Sequence, residues 1–435
     1  MSWQLTLLMY VSVLVVLLLM GEWIVFALGI GGIFALLFSG GFNALNPLGS
    51  VIWNSLNNFT LTAIPLFILM GELILQSKLG ERFYIGMSLI FRRVPGGLLH
   101  TNIVSAAIFS ALTGVSVATA ATIGTVAIPE LTKHGYDRKM IFGSLAAGGT
   151  LGILIPPSIP MILYCVLAQQ SIAKLFAAGI LPGILIACFF LIYIAIRVML
   201  NPDLAPAKVP QDDQKGMGFW GFALSVLPII GLIVMILGGI YFGIITPTEA
   251  AAVGAFLSLI LYLFYTRFDL RTLKLVIGNS VRTSCMVLFI VVGAQIFSFA
   301  LVYSGLNRLL VSWVVSFGDV QVTIFVLICL IYICLGFFFD PISILVLTMT
   351  ILYPIIVQFN FDPIWFGVVL VILIELGLIT PPVGINLFVI HGISGKRSMS
   401  EVIAGVFPYI FILLFAIVVL YFFPSIALFI PGLML

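Results

Sequence analysis

The 435-residue sequence specifies an all-α polytopic membrane protein. It is built from two inverted-topology repeats, each with a re-entrant hairpin and a Pro-Pro-broken helix. Three observations predict this. The chain is 63% hydrophobic and 8% charged, with a mean hydropathy of +1.31. A Gly-x-x-x-Pro-Pro motif occurs at residues 152–157 and again at 377–382. Lys and Arg cluster in certain loops of one half and are missing from the equivalent loops of the other.

Composition sets the solvent. Soluble domains carry about 25% charged residues, so a chain this apolar requires lipid around it. Apolar runs at 5–20, 224–241, 253–265 and 407–421 recur along the chain. A span needs about 20 residues, which leaves room for about a dozen. The first run lacks a basic flank and a small-residue exit, so it reads as a transmembrane helix and not a removable signal. A net charge of +3 gives no footprint for nucleic acid. Cys165, Cys188, Cys285, Cys329 and Cys334 lie in apolar segments without zinc or redox spacing, and read as small buried apolar residues.

The halves come next. Residues 201–218 (NPDLAPAKVPQDDQKGMG) form a polar linker between a first repeat, 1–200, and a second, 219–435. LGILIPPSIPMILY from Leu151 pairs with LGLITPPVGINLFV from Leu376, an offset of 225 residues. The same offset places Pro129 on Pro354 and Asp137 on Asp362. One inserted residue then aligns AGILP at Ala178 with AGVFP at Ala404.

Basic residues orient each copy, because Lys and Arg favour cytoplasmic loops. Arg92, Arg93, Lys133, Arg138 and Lys139 flank the first copy's hairpin, whereas loops 317–320 and 358–363 carry no Lys or Arg. The next loop reverses the bias: 168–174 has one Lys, and its counterpart has Lys396 and Arg397. Equivalent loops therefore lie on opposite sides, an arrangement typical of secondary transporters.

The hairpins and breaks follow from this orientation. Residues 102–132 start and end on the basic side, and their middle, SALTGVSVATAATIGT, is rich in small and hydroxylated residues. The counterpart, about 320–359, turns near LGFFFDPIS. Broken helices are expected at about 139–167 and 362–391. Paired prolines remove amide donors and break a helix, and freed carbonyls at membrane depth need partners. Carbonyls and hydroxyls suit a hard cation such as sodium, while half-helix N-termini suit an anionic solute. Gly152, Pro156, Pro157 and Ser158 form the first break, and Gly377, Thr380, Pro381, Pro382, Gly384 and Asn386 the second. The hairpin tips add Thr113, Gly114, Ser116 and Thr119, and then Gly336, Asp340, Pro341 and Ser343. Asp340 is either an ion or solute ligand or a water-exposed cap.

Other polar residues read more plainly. Glu249, with Thr246 or Thr248, marks a helix start. Glu375 is either ion-site support or a structural partner, and Glu72 a buried polar contact or an interface residue. His100, His134 and His391 are expected at membrane edges. No catalytic grouping and no Walker loop is present, so an ion gradient is the expected driving force.

The stretches TAATIGTVAIPEL, AGGTLGILIPPSIPMILY, LFAAGILPG, GGIYFGIITPTEAAAVGA, ELGLITPPVGINLFV and AIPLFILMGELI resemble the large membrane subunit of tripartite ATP-independent periplasmic (TRAP) transporters. The resemblance spans nearly the whole chain. It implies a sodium-coupled, elevator-type importer of organic acids in the bacterial inner membrane. It also implies two partners, a small four-helix membrane subunit and a soluble periplasmic binding protein. On this reading Thr113, Gly114, Ser116, Pro157 and Ser158 contact the solute. Gly114, Thr119, Gly152, Pro156, Gly336, Asp340, Ser343, Thr380, Pro381, Gly384 and Asn386 hold the co-transported sodium. One departure stands out: where the family commonly shows Ser-Gly-Ser-Ser, this chain has Thr113-Gly114-Val115-Ser116. The competing reading is a stand-alone carboxylate symporter or antiporter that needs no binding protein.

Overall fold

The computed structural model describes residues 3–91, 94–206, 219–266, 268–316, 321–395 and 398–434. Arg92, Arg93, Lys396, Arg397, loop 317–320 and linker residues 207–218 lie outside the described residues. Among the described residues every regular element is helical. In chain order these are α1 (Trp3–Leu19), α2 (Ile24–Gly40), α3 (Leu48–Leu56), α4 (Ala63–Gln76), α5 (Leu79–Phe91), α6 (Leu98–Thr113) and α7 (Ser116–Lys133). Then come α8 (Arg138–Leu154), α9 (Ile159–Ala168), α10 (Ile172–Leu200), α11 (Phe219–Tyr241), α12 (Pro247–Tyr265), α13 (Leu270–Tyr303) and α14 (Leu306–Ser316). The chain closes with α15 (Gln321–Gly336), α16 (Pro341–Gln358), α17 (Pro363–Ile379), α18 (Ile385–Ile393), α19 (Met399–Phe422) and α20 (Ser425–Leu433). Nine helical stretches among the described residues are long and apolar enough to span a bilayer. Others, such as α6, α15 and α17, are too short for that measure.

Local chemistry explains the boundaries. Asp137 caps α8 by accepting the Met140 amide at 3.0 Å. Asp362 caps α17 by accepting from Ile364 and Trp365 at 2.8 and 2.9 Å. These two caps are the residues matched by the 225-residue offset. Thr246 and Glu249 form a reciprocal capping box at the start of α12. The offset also carries α8 on to α17 and α7 on to α16, end to end. Interior prolines sit at equivalent places, Pro129 with Pro354 and Pro182 with Pro408. Even the turns match: Gly135 and Asn360 both adopt positive φ, at 77° and 56°.

Packing repeats the pattern across the halves. Helix α2 packs on α13 and α12 on α4; α8 packs on α19 and α17 on α10; α7 packs on α18 and α16 on α9. Each pair maps on to the other at the same offset. Helix α17 is buried from Ile364 to Ile379, and α8 from Met140 to Leu154. The outer helices instead expose large apolar side chains, including Leu19, Trp220 and Phe264. Such exposure suits contact with lipid.

Candidate functional site

The first tip is built by a left-handed glycine. Helix α6 ends at Thr113, Gly114 turns with φ +61°, and its amide donates to Ser110 O at 2.8 Å. Helix α7 then starts at Ser116. Thr113 and Thr119 join hydroxyl to hydroxyl at 2.8 Å, and Thr119 Oγ1 donates to Val115 O at 3.1 Å. Val115 itself is 38% exposed, so its missing hydroxyl leaves no hole in the core.

This tip seats against the first break. Pro156 and Pro157 cannot donate, so α8 stops at Leu154 and α9 restarts after Ser158, whose Oγ accepts the Met161 amide at 3.5 Å. The Pro156–Pro157 peptide bond is cis, as is Pro381–Pro382. A Cβ on Gly152 would sit 3.1 Å from Ser110 Cβ and 3.2 Å from Ser116 Cα. One on Gly114 would sit 3.2 Å from Pro157 O. The structure thus brings Gly114, Ser116, Gly152 and Pro157 together.

The second tip is built differently. Helix α15 ends at Gly336, whose Cα a Cβ on Gly377 would approach to 2.6 Å. Asp340 caps α16: its carboxylate accepts from the Ile342 and Ser343 amides at 3.2 and 3.3 Å, and from the Ser343 hydroxyl. It is half-buried. In the second break Thr380 Oγ1 donates back to Leu376 O at 2.5 Å. Gly384, with φ +48°, starts α18 and stands within reach of Thr380 O.

The half-sites are not separate. Asn386 Nδ2, from the second break, donates to Ser116 Oγ at the first tip at 2.7 Å. Asn386 is fully buried and its Oδ1 has no partner. The first tip therefore meets both breaks. The reverse bond does not exist, because Met161 occupies the position equivalent to Asn386. Hydroxyls of Ser116, Thr113 and Thr119 with the free Asn386 carbonyl offer neutral oxygens to a hard cation. Among the described residues no group of three His, Cys, Asp or Glu could hold a transition metal.

Some features escaped sequence reasoning. Tyr84 donates to Asn102 Oδ1 at 2.8 Å, and Asn102 Nδ2 donates to Ser144 Oγ at 2.9 Å, all buried. This chain ties α6 to α5 and α8. Its members come from three segments, so no spacing announces it. His100 is 4% exposed and bonds Pro95 O at 2.7 Å, so it is packed within the protein at the first turn of α6 and is not solvated. Glu72 accepts from Asn279 at 3.4 Å. Glu375 is fully buried on α17, with its carboxylate facing the Ile153 and Leu154 backbone at the end of α8.

Helices interrupted at membrane depth, with oxygens and half-helix ends converging on them, define a polytopic membrane transport protein. The family model for the DctM component of tripartite ATP-independent periplasmic transporters matches residues 11–426. The chain belongs to this family. It is 33% identical over 408 residues to the C4-dicarboxylate TRAP transporter large permease protein DctM of Pseudomonas aeruginosa, covering 92% of each chain. It is 31% identical over 400 residues to the sialic acid TRAP transporter permease protein SiaT of Haemophilus influenzae, covering 90% of this chain and 63% of that one. Among solved structures, the YdaH transporter of Alcanivorax borkumensis shares the fold, with a TM-score of 0.61, 16% identity and 89% coverage of both chains.

Proposed function

We propose that this chain is the membrane subunit of a sodium-coupled importer of a small organic acid in the bacterial inner membrane. The acid is a C4-dicarboxylate or a related carboxylate, delivered by a periplasmic binding protein, and a small four-helix subunit completes the membrane part. The observation that carries the reading is Asn386: it reaches across the repeats to Ser116 and keeps a buried carbonyl oxygen free. A buried amide oxygen without a donor is costly, and a sodium ion would satisfy it. The solute's carboxylate would meet Ser116, Ser158 and the start of α9.

Packing supports an elevator. Hairpin α6–α7, hairpin α15–α16 and the two broken helices pack on one another, whereas α2–α13 and α12–α4 pair outside them. The first group is the moving body and the second the scaffold. The loop charges support inversion of the two halves. Names of relatives support the substrate class, since several carry C4-dicarboxylate in their description.

The test is uptake into vesicles holding this chain, the small subunit and the binding protein. Labelled succinate should accumulate only with an inward sodium gradient and loaded binding protein. Equal uptake without the binding protein would overturn the reading in favour of a stand-alone carrier.

A further inference from the structure

A cavity of about 130 Å³ lies where α13 and α14 face α16 and the end of α9. A water occupies about 30 Å³ in the liquid, so the space takes several waters or a small organic acid. Its polar lining is Gln295 and Ser298 from α13, Asn307 from α14, and Thr350 and Tyr353 from α16. No carboxylate and no basic side chain lines it. Tyr353 is committed, donating to Ala168 O at 2.9 Å. The others are not. Asn307 Oδ1 is buried without a partner, and the side chains of Gln295, Ser298 and Thr350 make no hydrogen bond to described residues. All four are half-buried and bond no described residue, so water or a solute must serve them, the Asn307 Oδ1 acceptor through a water or a solute hydroxyl.

The first repeat lacks this feature. At the 225-residue offset Gln295, Ser298 and Tyr353 become Met70, Leu73 and Ile128. Asn307 becomes Arg82, which lies over the Tyr265 ring, and Thr350 becomes Thr125, whose hydroxyl is spent on Thr122 O. Symmetry therefore does not dictate the polar crevice. It sits near the ends of α9 and α16, whose following loops are the ones poor in Lys and Arg. That side is the periplasm under the positive-inside rule.

The geometry points to a second, entry subsite: a periplasmic crevice between scaffold and second hairpin that accepts a small organic carboxylate or sulfonate before it reaches the tips. The inference rests on the proposed orientation and on the organic-acid reading. Amide NH₂ and hydroxyl groups donate to an anion without a fixed positive charge, so binding is weak and the solute passes on. The crevice lies at the seam that an elevator slides along, so it exists only while the halves are so arranged.

Paired methanethiosulfonate reagents test this on the assembled complex in intact cells. The anionic ethylsulfonate reagent is itself a small organic anion, and the trimethylammonium reagent is its cationic counterpart. Thr350→Cys is compared with Asn360→Cys, an exposed position on the same proposed side, and with the parent chain for background. Expected is reaction of Thr350→Cys from outside, with an anion-to-cation rate ratio at least several-fold above that of Asn360→Cys. Adding Gln295→Leu should bring the ratio back to that of Asn360→Cys. An unreactive Thr350→Cys beside a reactive Asn360→Cys means a dry seam and overturns the inference alone. An unenriched ratio overturns it equally. An Asn360→Cys that reacts only from the cytoplasm removes the orientation, and the inference with it.

Discussion

Gly377→Ala probes the contact between the second hairpin tip and its break. The added Cβ would lie 2.6 Å from Gly336 Cα and 3.2 Å from Gly336 O. Carbon atoms sit comfortably at about 3.5–4.0 Å, so α15 and α17 must separate by about 1 Å. Both partners are backbone, and no flexible side chain can yield. Overpacking of this kind costs about 1–3 kcal/mol, equivalent to roughly 5- to 150-fold in an equilibrium constant. Relieved by opening the tip, that strain moves Gly336, Asp340 and Ser343 off the break and, under the proposed sodium coupling, weakens sodium binding. The assay is succinate uptake by the reconstituted complex against sodium concentration, with sodium half-saturation expected to rise within that range. Gly392→Ala, near the end of α18, is the control, because its Cβ meets nothing within 4 Å. Unchanged half-saturation in Gly377→Ala, with the chain folded and uptake intact, would refute the reasoning. So would an equal loss in Gly392→Ala.

Other substitutions separate the roles of neighbouring groups. Gly143→Ala would place a Cβ 2.1 Å from Gly405 O; detergent-extracted chain should lose its monodisperse peak in fluorescence-detected size exclusion. Asn386→Ala and Ser116→Ala, combined in a double-mutant cycle of thermal stability, should show coupling of about 0.5–1.5 kcal/mol. Additive losses there would mean the 2.7 Å bond contributes nothing. Asp340→Asn keeps a capping oxygen and Asp340→Ala does not, a difference of about 1 kcal/mol in stability. A sodium role makes both variants raise sodium half-saturation, whereas a pure cap leaves Asp340→Asn with the parent's sodium response.

Much of the fold was written locally. The paired prolines, the caps Asp137 and Asp362, the interior prolines of α7 and α16, and the Thr246–Glu249 box all act on backbone within a few residues of themselves. Such effects leave a signature in sequence. The site was legible only in part. Its tips and breaks could be listed, but not which tip meets which break. The Asn386–Ser116 bond joins residues 270 apart, and nothing near either residue encodes the meeting. The same holds for Gly143 against Gly405 and for the Tyr84–Asn102–Ser144 chain. Close approach of two backbones asks only for a glycine on each, and among 41 glycines those few are not marked. The cap role of Asp340 is visible as Asp-Pro, whereas the bond from the Ser343 hydroxyl to its carboxylate is not.

The most direct test of two inverted halves uses the turns that match in conformation. Gly135 and Asn360 are equivalent at the 225-residue offset and both adopt positive φ. Each is replaced by cysteine and labelled with an impermeant maleimide in intact cells and in inside-out vesicles, against the parent's five-cysteine background. Inversion predicts that Asn360→Cys labels only in cells and Gly135→Cys only in inside-out vesicles. Labelling of both positions from the same side would contradict it.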